Sequence, residues 1–408
     1  MLAPWHAAAM TAQRGMGLAP LALALVAGTA LQLAAPARCA AFGPPPSPGT
    51  IRMNISNVFS SHAVLQRGKP VVVWGWVARQ EAGATGTAAA GPTASVSAEW
   101  VDGKTYTGAT DASGLFRVFF PAAAARAAPF NLTFTADAGG AGASVVTLAG
   151  LLLGDVFLCS GQSNMASVHV GAMRNATAIA RAAASLQTGL RIFTSGNIPG
   201  YAPTQSPVPL NNLPAKNLYA WQPPLGVAGD DNSTLLATSA ACFLMGSTLY
   251  TEYPNHVGPG ATSPAVPIGL VVSAYGGSSI QAWQSPSSVN GCGDTSGKWP
   301  SSVLYNSNVH PFTVGPLAMA GTYWYQGEED TGTAARSNWY TCALQALIVD
   351  WRALFKDAGL FWVVQQLHAY ALPASYGHAL ALQRQARERA AKQTKNKNAS
   401  VGGSLDAR

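Results

Sequence analysis

The sequence predicts an α/β protein with a doubly wound parallel sheet, preceded by a small β-sandwich. From residue 53 to about residue 146, short stretches of alternating apolar and polar residues are separated by turns rich in Gly, Ala and Thr. That pattern is typical of antiparallel strands. After Leu151, apolar strands alternate with helical segments, which indicates crossover helices and a parallel sheet. The predicted domains are therefore residues 52–150 and 151–408.

Within the first domain, the clearest predicted strands are residues 70–76, 95–100 and 115–120. The second domain has its clearest helix just before the predicted strand at residues 360–364. The apolar residues of that helix recur on one face, as helical periodicity requires: Tyr340, Leu344, Leu347, Ile348, Trp351, Leu354 and Phe355.

Residues 1–41 have the features of a signal peptide. Arg14 supplies the positive charge, residues 17–33 are apolar, and small residues suited to cleavage follow at 35–37 and 39–41. An uncleaved anchor is the alternative, but the apolar run is at the short end for a span and is interrupted by Pro and Gly. We therefore expect a secretory route, to a secreted or lysosomal/vacuolar destination, with no stable membrane insertion after signal cleavage. Five glycosylation sequons agree with that route: Asn54, Asn131, Asn175, Asn232 and Asn398.

Four cysteines remain once Cys39 is removed with the leader. Cys159 and Cys242 lie in apolar stretches, and we expect them to be buried thiols. Cys292 and Cys342 are predicted to form a disulfide. No His/Cys spacing resembles a metal site, and the sequence predicts no cofactor.

The formal net charge of +7 comes from 24 basic against 17 acidic residues. The basic residues concentrate at 384–397, where a tail that binds nucleic acid is one interpretation. A solvated helix face fits better, because aromatic residues do not alternate with the basic ones. We therefore predict no nucleic-acid partner.

Three predicted strands of the second domain end in polar or glycine-rich segments. The first reads Gly-Asp-Val-Phe-Leu-Cys-Ser-Gly-Gln-Ser-Asn-Met at residues 154–165 and places Ser163 where a strand turns into a helix. A serine there is suited to nucleophilic attack, although a helix cap is the alternative. The second strand ends at Gly276 and Gly277, and the third ends at Gln326 and Glu328. Open α/β sheets bind ligands at the carboxyl ends of their strands.

These three segments resemble blocks of the sialate O-acetylesterase family, which belongs to the SGNH (GDSL-like) hydrolases. The first block is the most specific; the others are Gly-Gly-Ser-Ser-Ile-Gln-Ala-Trp at 276–283 and Trp-Tyr-Gln-Gly-Glu at 324–328. The resemblance extends over roughly residues 52–370. It implies an SGNH-type sheet and a serine esterase that removes acetyl groups from O-acetylated sugars such as sialic acids.

The resemblance also implies roles for the site residues. Ser163 would be the nucleophile. The backbone N–H of Ser163, the Gly276/Gly277 pair and the Gln326 side chain would form the oxyanion hole. Glu328 would be a carboxylate that orients its neighbours.

The family's base histidine has no counterpart in this sequence. The nearest segment is residues 402–408, which resembles the strand that precedes the histidine and ends at Arg408. We therefore expect a domain that is incomplete at its carboxyl end and weakly active as it stands. The alternative is a catalytically silent sugar-binding protein. Of the other histidines, His368 is the leading candidate for the base, ahead of His310, His378 and His256, and His310 is expected to be structural.

Overall fold

The structure is a computed structural model that describes residues 50–79, 92–139, 142–196, 199–200, 202–203, 220–229, 232–252, 266–292 and 299–368, and the backbone of 399–402. Residues 46–408 form one compact unit. The predicted signal peptide, Asn398 and the basic stretch at 384–397 lie outside the described residues.

Eight strands, mostly paired antiparallel, build the amino-terminal part. They are β1 (Ile51–Ile55), β2 (Val64–Gln66), β3 (Val71–Arg79), β4 (Ser95–Glu99), β5 (Thr105–Ala109), β6 (Leu115–Phe120), β7 (Arg126–Asp137) and β8 (Ala143–Gly161). Strands β1, β3 and β6 form one three-stranded sheet. Strands β5, β4 and β7 follow one another in a larger sheet that continues into β8, and β2 pairs with β8 in parallel.

The strand β8 joins the antiparallel and the parallel parts of the larger sheet. Its first half pairs antiparallel with β7, from Ala143 opposite Asp137 to Leu153 opposite Arg126. Its second half pairs in parallel with two later strands. The α/β class is thus confirmed as a mixed α/β fold with a curled mixed sheet. A separate sandwich domain ending at residue 150 stays a prediction, because this 19-residue strand runs through that boundary.

The parallel part has the spatial order β9-β10-β8-β11-β12-β13. Its remaining strands are β9 (Leu190–Thr194), β10 (Ile268–Ala274), β11 (Gly321–Tyr325), β12 (Phe361–Gln365) and β13 (Ala399–Gly402). The chain leaves β8 for the edge at β9, returns beside β8 as β10, and then crosses to β11 on the other side. Open α/β sheets bind ligands where the strand order changes direction in this way, at the carboxyl ends of the central strands.

Seven α-helices are described alongside the sheet: α1 (Ser163–Ala166), α2 (Ala176–Ala182), α3 (Ser233–Ala237), α4 (Ala240–Glu252), α5 (Pro286–Val289), α6 (Val303–Asn308) and α7 (Ala334–Leu354). Helix α7 starts after Thr333, whose side chain accepts a hydrogen bond from the N–H of Arg336. Its predicted apolar face is confirmed, because five of the seven residues are fully buried in the core: Tyr340, Leu344, Leu347, Ile348 and Trp351. Four buried indoles, those of Trp283, Trp324, Trp351 and Trp362, pack together there.

Two disulfides are present among the described residues. The predicted Cys292–Cys342 bond is confirmed. The prediction that Cys159 and Cys242 are free thiols was wrong, since they form the second disulfide. Both cysteines are fully buried, as expected, but one lies on β8 and the other on α4. Only the packing of α4 on the sheet brings them together, and the apolar sequence around each cysteine does not report it.

Candidate active site

Three strand ends meet at the carboxyl edge of the parallel sheet. Gly161 of β8 lies opposite Ala274 of β10 and Tyr325 of β11. Ser163, Gly276 and Gly327 each follow two residues after one of these partners. The strand register alone therefore brings the three predicted blocks side by side.

The turn before Ser163 requires a glycine. Gly161 has φ +140°, and a Cβ on it would lie 2.0 Å from the carbonyl oxygen of Tyr325. The next residue, Gln162, donates its backbone N–H to that oxygen at 2.9 Å. Its side-chain Oε1 accepts from the N–H groups of Gly327 and Glu329, at 3.0 and 3.3 Å. Gln162 thus ties the end of β8 to the end of β11, a role that the sequence analysis did not identify.

Ser163 is the first residue of α1, and Gln162 occupies the N-cap position. The structure therefore does not show Ser163 as the helix cap. Its side chain is half-buried. Among the described residues, no hydrogen bond engages the Ser163 hydroxyl.

The glycine pair lies beside Ser163. A Cβ on Gly276 would be 3.8 Å from the Ser163 Cβ and 3.4 Å from the Ser167 hydroxyl oxygen. Gly277 has φ +66°, with no atom within 4 Å of the place its Cβ would take. Within the described ranges, the N–H groups of Ser163, Gly276 and Gly277 have no acceptor. Three backbone donors are therefore available near one hydroxyl.

Glu328 contacts the residue that follows the serine. Its Oε1 accepts a hydrogen bond from the Asn164 side-chain amide at 2.5 Å. Both side chains are half-buried. This contact joins the third block to the start of α1.

Gln326 is fully buried. Its amide nitrogen donates to the carbonyl oxygen of Ser278 at 2.9 Å and to the Asp330 carboxylate at 2.6 Å. Its Oε1 accepts from the Tyr340 hydroxyl at 2.9 Å. Because the amide has only two hydrogens, the predicted oxyanion role would require one of these bonds to break.

Asp330, four residues after Gln326, is a fully buried carboxylate to which the sequence alone assigned no role. It pairs with Arg336, with 2.9 Å between a carboxylate oxygen and the guanidinium. Burial raises the pKa of Asp330, while Arg336 and the hydrogen bonds from Gln326 and Ile280 oppose that rise.

The candidate histidines differ in position. His310 packs edge-on against Tyr305, with 5.9 Å between ring centroids. His368 is exposed and follows β12, which is two strands away from β8, so about 10 Å separates the two strands. No hydrogen bond joins a histidine to Ser163 in the part of the chain that the structure describes. His256 and His378 lie outside the described residues.

No metal site or membrane span emerges from the described parts of the chain. They contain no cluster of three or more His, Cys, Asp or Glu side chains suited to a metal ion. None of their helices combines the length and the apolar character needed to cross a membrane.

Three comparisons with known proteins each find acetylesterases. A family model described as "Carbohydrate esterase, sialic acid-specific acetylesterase" matches residues 153–403. The sialate O-acetylesterases of Homo sapiens and Pongo abelii are 33% and 34% identical to this chain over 215 residues, which cover 50% of the chain and 36% of each relative. The crystal structure of a carbohydrate acetylesterase from Xanthomonas citri superposes with a TM-score of 0.65 at 25% identity, covering 87% of this chain and 69% of that chain.

The chain thus spans about a third of the length of these curated relatives. The family model, however, covers more than half of the 408 residues, and it includes every predicted site residue. The chain therefore belongs to the carbohydrate esterase family of sialic acid-specific acetylesterases.

Proposed function

We propose that the protein is a serine carbohydrate O-acetylesterase, an SGNH-type hydrolase that removes acetyl groups from O-acetylated sugars such as sialic acids. The observation that carries the proposal is the register of β10, β8 and β11. It sets the half-buried Ser163 hydroxyl beside a glycine pair whose N–H groups have no acceptor among the described residues. Family membership and the acetylesterase relatives support the same chemistry.

The proposed reaction has two steps. The Ser163 Oγ attacks the acetyl carbonyl carbon, and the N–H groups of Ser163, Gly276 and Gly277 stabilise the oxyanion that develops. The tetrahedral intermediate collapses, the sugar hydroxyl leaves with a proton, and an acetyl-Ser163 remains. Water then attacks this ester and releases acetate. A base must remove the proton from Ser163 and from water, and we propose a histidine for that role.

In this scheme Glu328 helps to hold the nucleophile in position. It holds the Asn164 side chain, and Asn164 immediately follows the nucleophile. Gln162 fixes the other side of Ser163 through its bonds to the end of β11 and to the residues that follow that strand. Both contacts limit the movement of the turn that presents the hydroxyl. No cofactor takes part.

We also propose that the protein follows the secretory route to a secreted or lysosomal/vacuolar destination. The two disulfides support an oxidising compartment. The four sequon asparagines that the structure describes, Asn54, Asn131, Asn175 and Asn232, are all exposed, as glycosylation requires. The amino-terminal strands are proposed as a β-sandwich module that packs on the esterase sheet.

The decisive experiment combines one substitution with detection of the acyl-enzyme. We expect Ser163→Ala to abolish release of acetate from an activated acetyl ester and from O-acetylated sialic acid, with unchanged folding. Mass spectrometry of the quenched wild type should find a mass increase of about 42 Da, that of one acetyl group, on the peptide that contains Ser163. Ser185→Ala is the matched control, because Ser185 is exposed and lies outside the three segments that form the site.

Full activity in Ser163→Ala would exclude the serine mechanism. A wild type that binds acetylated sugar but never becomes acetylated would instead favour the silent sugar-binding protein.

A further inference from the structure

We propose that Asp330, together with Gln326, is a positioning residue that holds the segment 275–280 so that the glycine pair stays beside Ser163. This inference rests on the proposed function for its catalytic consequence. It assigns the buried acid a role in the geometry of the oxyanion donors, without contact with the substrate.

The segment is held at several backbone atoms. The N–H of Tyr275 donates to the carbonyl oxygen of Gly161 at 2.9 Å, which fixes its start to the end of β8. The carbonyl oxygen of Ser278 accepts from the Gln326 amide at 2.9 Å. The N–H of Ile280 donates to the Asp330 carboxylate at 3.0 Å. Between these points lie the two glycines.

Side chains hold two further carbonyl oxygens of the segment. The Ser278 hydroxyl donates to the carbonyl oxygen of Tyr275 at 2.8 Å and accepts from the Trp283 indole at 2.9 Å. The Trp299 indole donates to the carbonyl oxygen of Gly277 at 2.7 Å. The carbonyl groups of Tyr275, Gly277 and Ser278 thus have donors within the protein. The N–H groups of Gly276 and Gly277 have no acceptor among the described residues.

Asp330 is the centre of this arrangement. One carboxylate oxygen accepts from both Ile280 and Gln326, and the other accepts from the Arg336 guanidinium at 2.9 Å. Arg336 is itself held by the Gln281 side chain and by the face of the Trp339 ring, 3.9 Å from its centroid. The Asp330 carboxylate therefore bonds to the segment directly at Ile280 and indirectly through Gln326. Its third partner, Arg336, contacts the residue that follows the segment.

A buried carboxylate is costly, and an apolar side chain could fill the same volume at lower cost. The Asp330 carboxylate instead bonds to a backbone N–H three residues beyond Gly277 and to the amide that holds Ser278. Loss of its charge would weaken both bonds, because hydrogen bonds to an ionised acceptor are about twice as strong as neutral ones. The glycine N–H groups would then sample positions away from the developing oxyanion.

The test compares Asp330→Asn with Asp350→Asn. Asp350 is half-buried and accepts two hydrogen bonds from Ser285, but it lies on α7 and makes no hydrogen bond to the glycine segment. We expect Asp330→Asn to lower kcat by about 10²-fold per folded molecule, the lower end of the cost of losing one oxyanion donor, with KM within about twofold of wild type. Asp350→Asn should lose stability but keep kcat.

A second measurement does not depend on activity. Hydrogen exchange of peptides that cover residues 275–281 should be at least tenfold faster in Asp330→Asn, and unchanged in Asp350→Asn. If Asp330→Asn does not accumulate as folded protein, Gln326→Met replaces it. That variant removes the bond to Ser278 while the Asp330–Arg336 pair remains.

Each outcome decides the proposal. Unchanged exchange at 275–281 would overturn the positioning role whatever the activity, and so would faster exchange with an unchanged kcat. Faster exchange in a protein whose wild type never acetylates Ser163 would refute the proposed function and, with it, the catalytic consequence, leaving only the structural clamp.

Discussion

Gly276 and Gly277, beside Ser163, are constrained in different ways. We therefore expect alanine to have a different effect at each position. An alanine methyl at 276 would meet its neighbours at ordinary contact distances, 3.4 Å from Ser167 and 3.8 Å from Ser163. At 277 the methyl would meet nothing, but φ is +66°. A left-handed φ costs a residue with a Cβ about 1–2 kcal/mol.

We therefore expect Gly276→Ala to keep its free energy of unfolding to within about 0.5 kcal/mol and to lose activity, because the methyl occupies space beside the nucleophile. Gly277→Ala should lose about 1–2 kcal/mol of stability, and Gly277→Asn less, since Asn tolerates a left-handed φ. Urea denaturation and esterase kinetics on the three variants check this. An unstable Gly276→Ala with normal kcat per folded molecule would contradict it.

His62 supplies a prediction on pH. Burial, with a contribution from the positive charge of Arg191, lowers the pKa of His62 below its ordinary 6.5. The unfolded chain therefore binds a proton near pH 6.5 while the folded protein does not, and stability falls as pH decreases from 6.5 towards the lower folded pKa. His62→Asn should remove this part of the pH dependence, and Asn tolerates the φ of 69° at this position.

The measurement is the melting temperature of wild type and His62→Asn between pH 5 and pH 8. The difference between the two should change in favour of wild type as pH rises towards 6.5 and should level off above that pH. A constant difference across that range would show that His62 titrates alike in the folded and unfolded states.

At the residue scale, those site residues could be predicted that a local sequence pattern marks. Ser163 and the glycine pair stand at strand ends in the sequence, and the register places them together. Gln326 was assigned by the resemblance as an oxyanion donor, which stays a prediction. Its bond to Ser278 joins residues that are 48 positions apart in the sequence, and no local pattern reports such pairing. Gln162 was missed for the same reason.

At the scale of elements, the two disulfides link a strand to a helix and a turn to a helix. Cys159 and Cys242 close a separation of 83 residues and are fully buried, whereas Cys292 and Cys342 close 50 residues and Cys342 is exposed. Loop-closure entropy assigns both similar stabilisation, about 4–5 kcal/mol. Solvent access therefore distinguishes them more than loop length does.

We expect the exposed Cys292–Cys342 bond to be reduced first when the native protein is titrated with a thiol. Reduction of Cys159–Cys242 should require unfolding, because an attacking thiolate must reach a sulfur inside the core. Alkylation with peptide mass mapping at each step measures the order. Early loss of the Cys159–Cys242 bond would mean that α4 separates readily from the sheet.

The elements themselves were predicted to very different degrees. The buried face of α7 follows from its periodicity, and the strands β8, β10 and β11 follow from apolar runs with glycine-rich ends. The continuity of β8 does not. Its 19 residues pair antiparallel first and parallel later. The sequence shows only a change from strands and turns to strands alternating with helices, which suggested a domain boundary at residue 150.

For the whole molecule, the amino-terminal strands and the parallel sheet share one core. One cluster of buried residues contains both Phe116 of β6 and Trp324 of β11. Polar contacts cross the same boundary. Lys69 pairs with Asp357 at 2.6 Å, and the Arg67 guanidinium pairs with Asp155 at 2.8 Å. These contacts, with the continuous β8, predict that the two parts unfold together.

We therefore expect Phe116→Ala to destabilise both parts equally. Removing this fully buried ring costs about 3–5 kcal/mol, and its site is within the amino-terminal strands. Hydrogen-exchange pulse labelling through a urea transition would follow peptides from β6 and β11 separately, and their midpoints should fall together. Val145→Ala, at a residue 61% exposed on β8, is the control and should change the free energy of unfolding of either part by no more than about 0.5 kcal/mol. Unfolding of β6 at lower urea than β11 would show that the amino-terminal strands are a separate cooperative unit. Through the shared core and the continuous β8, the loss of the Phe116 ring should otherwise destabilise the parallel sheet to the same extent.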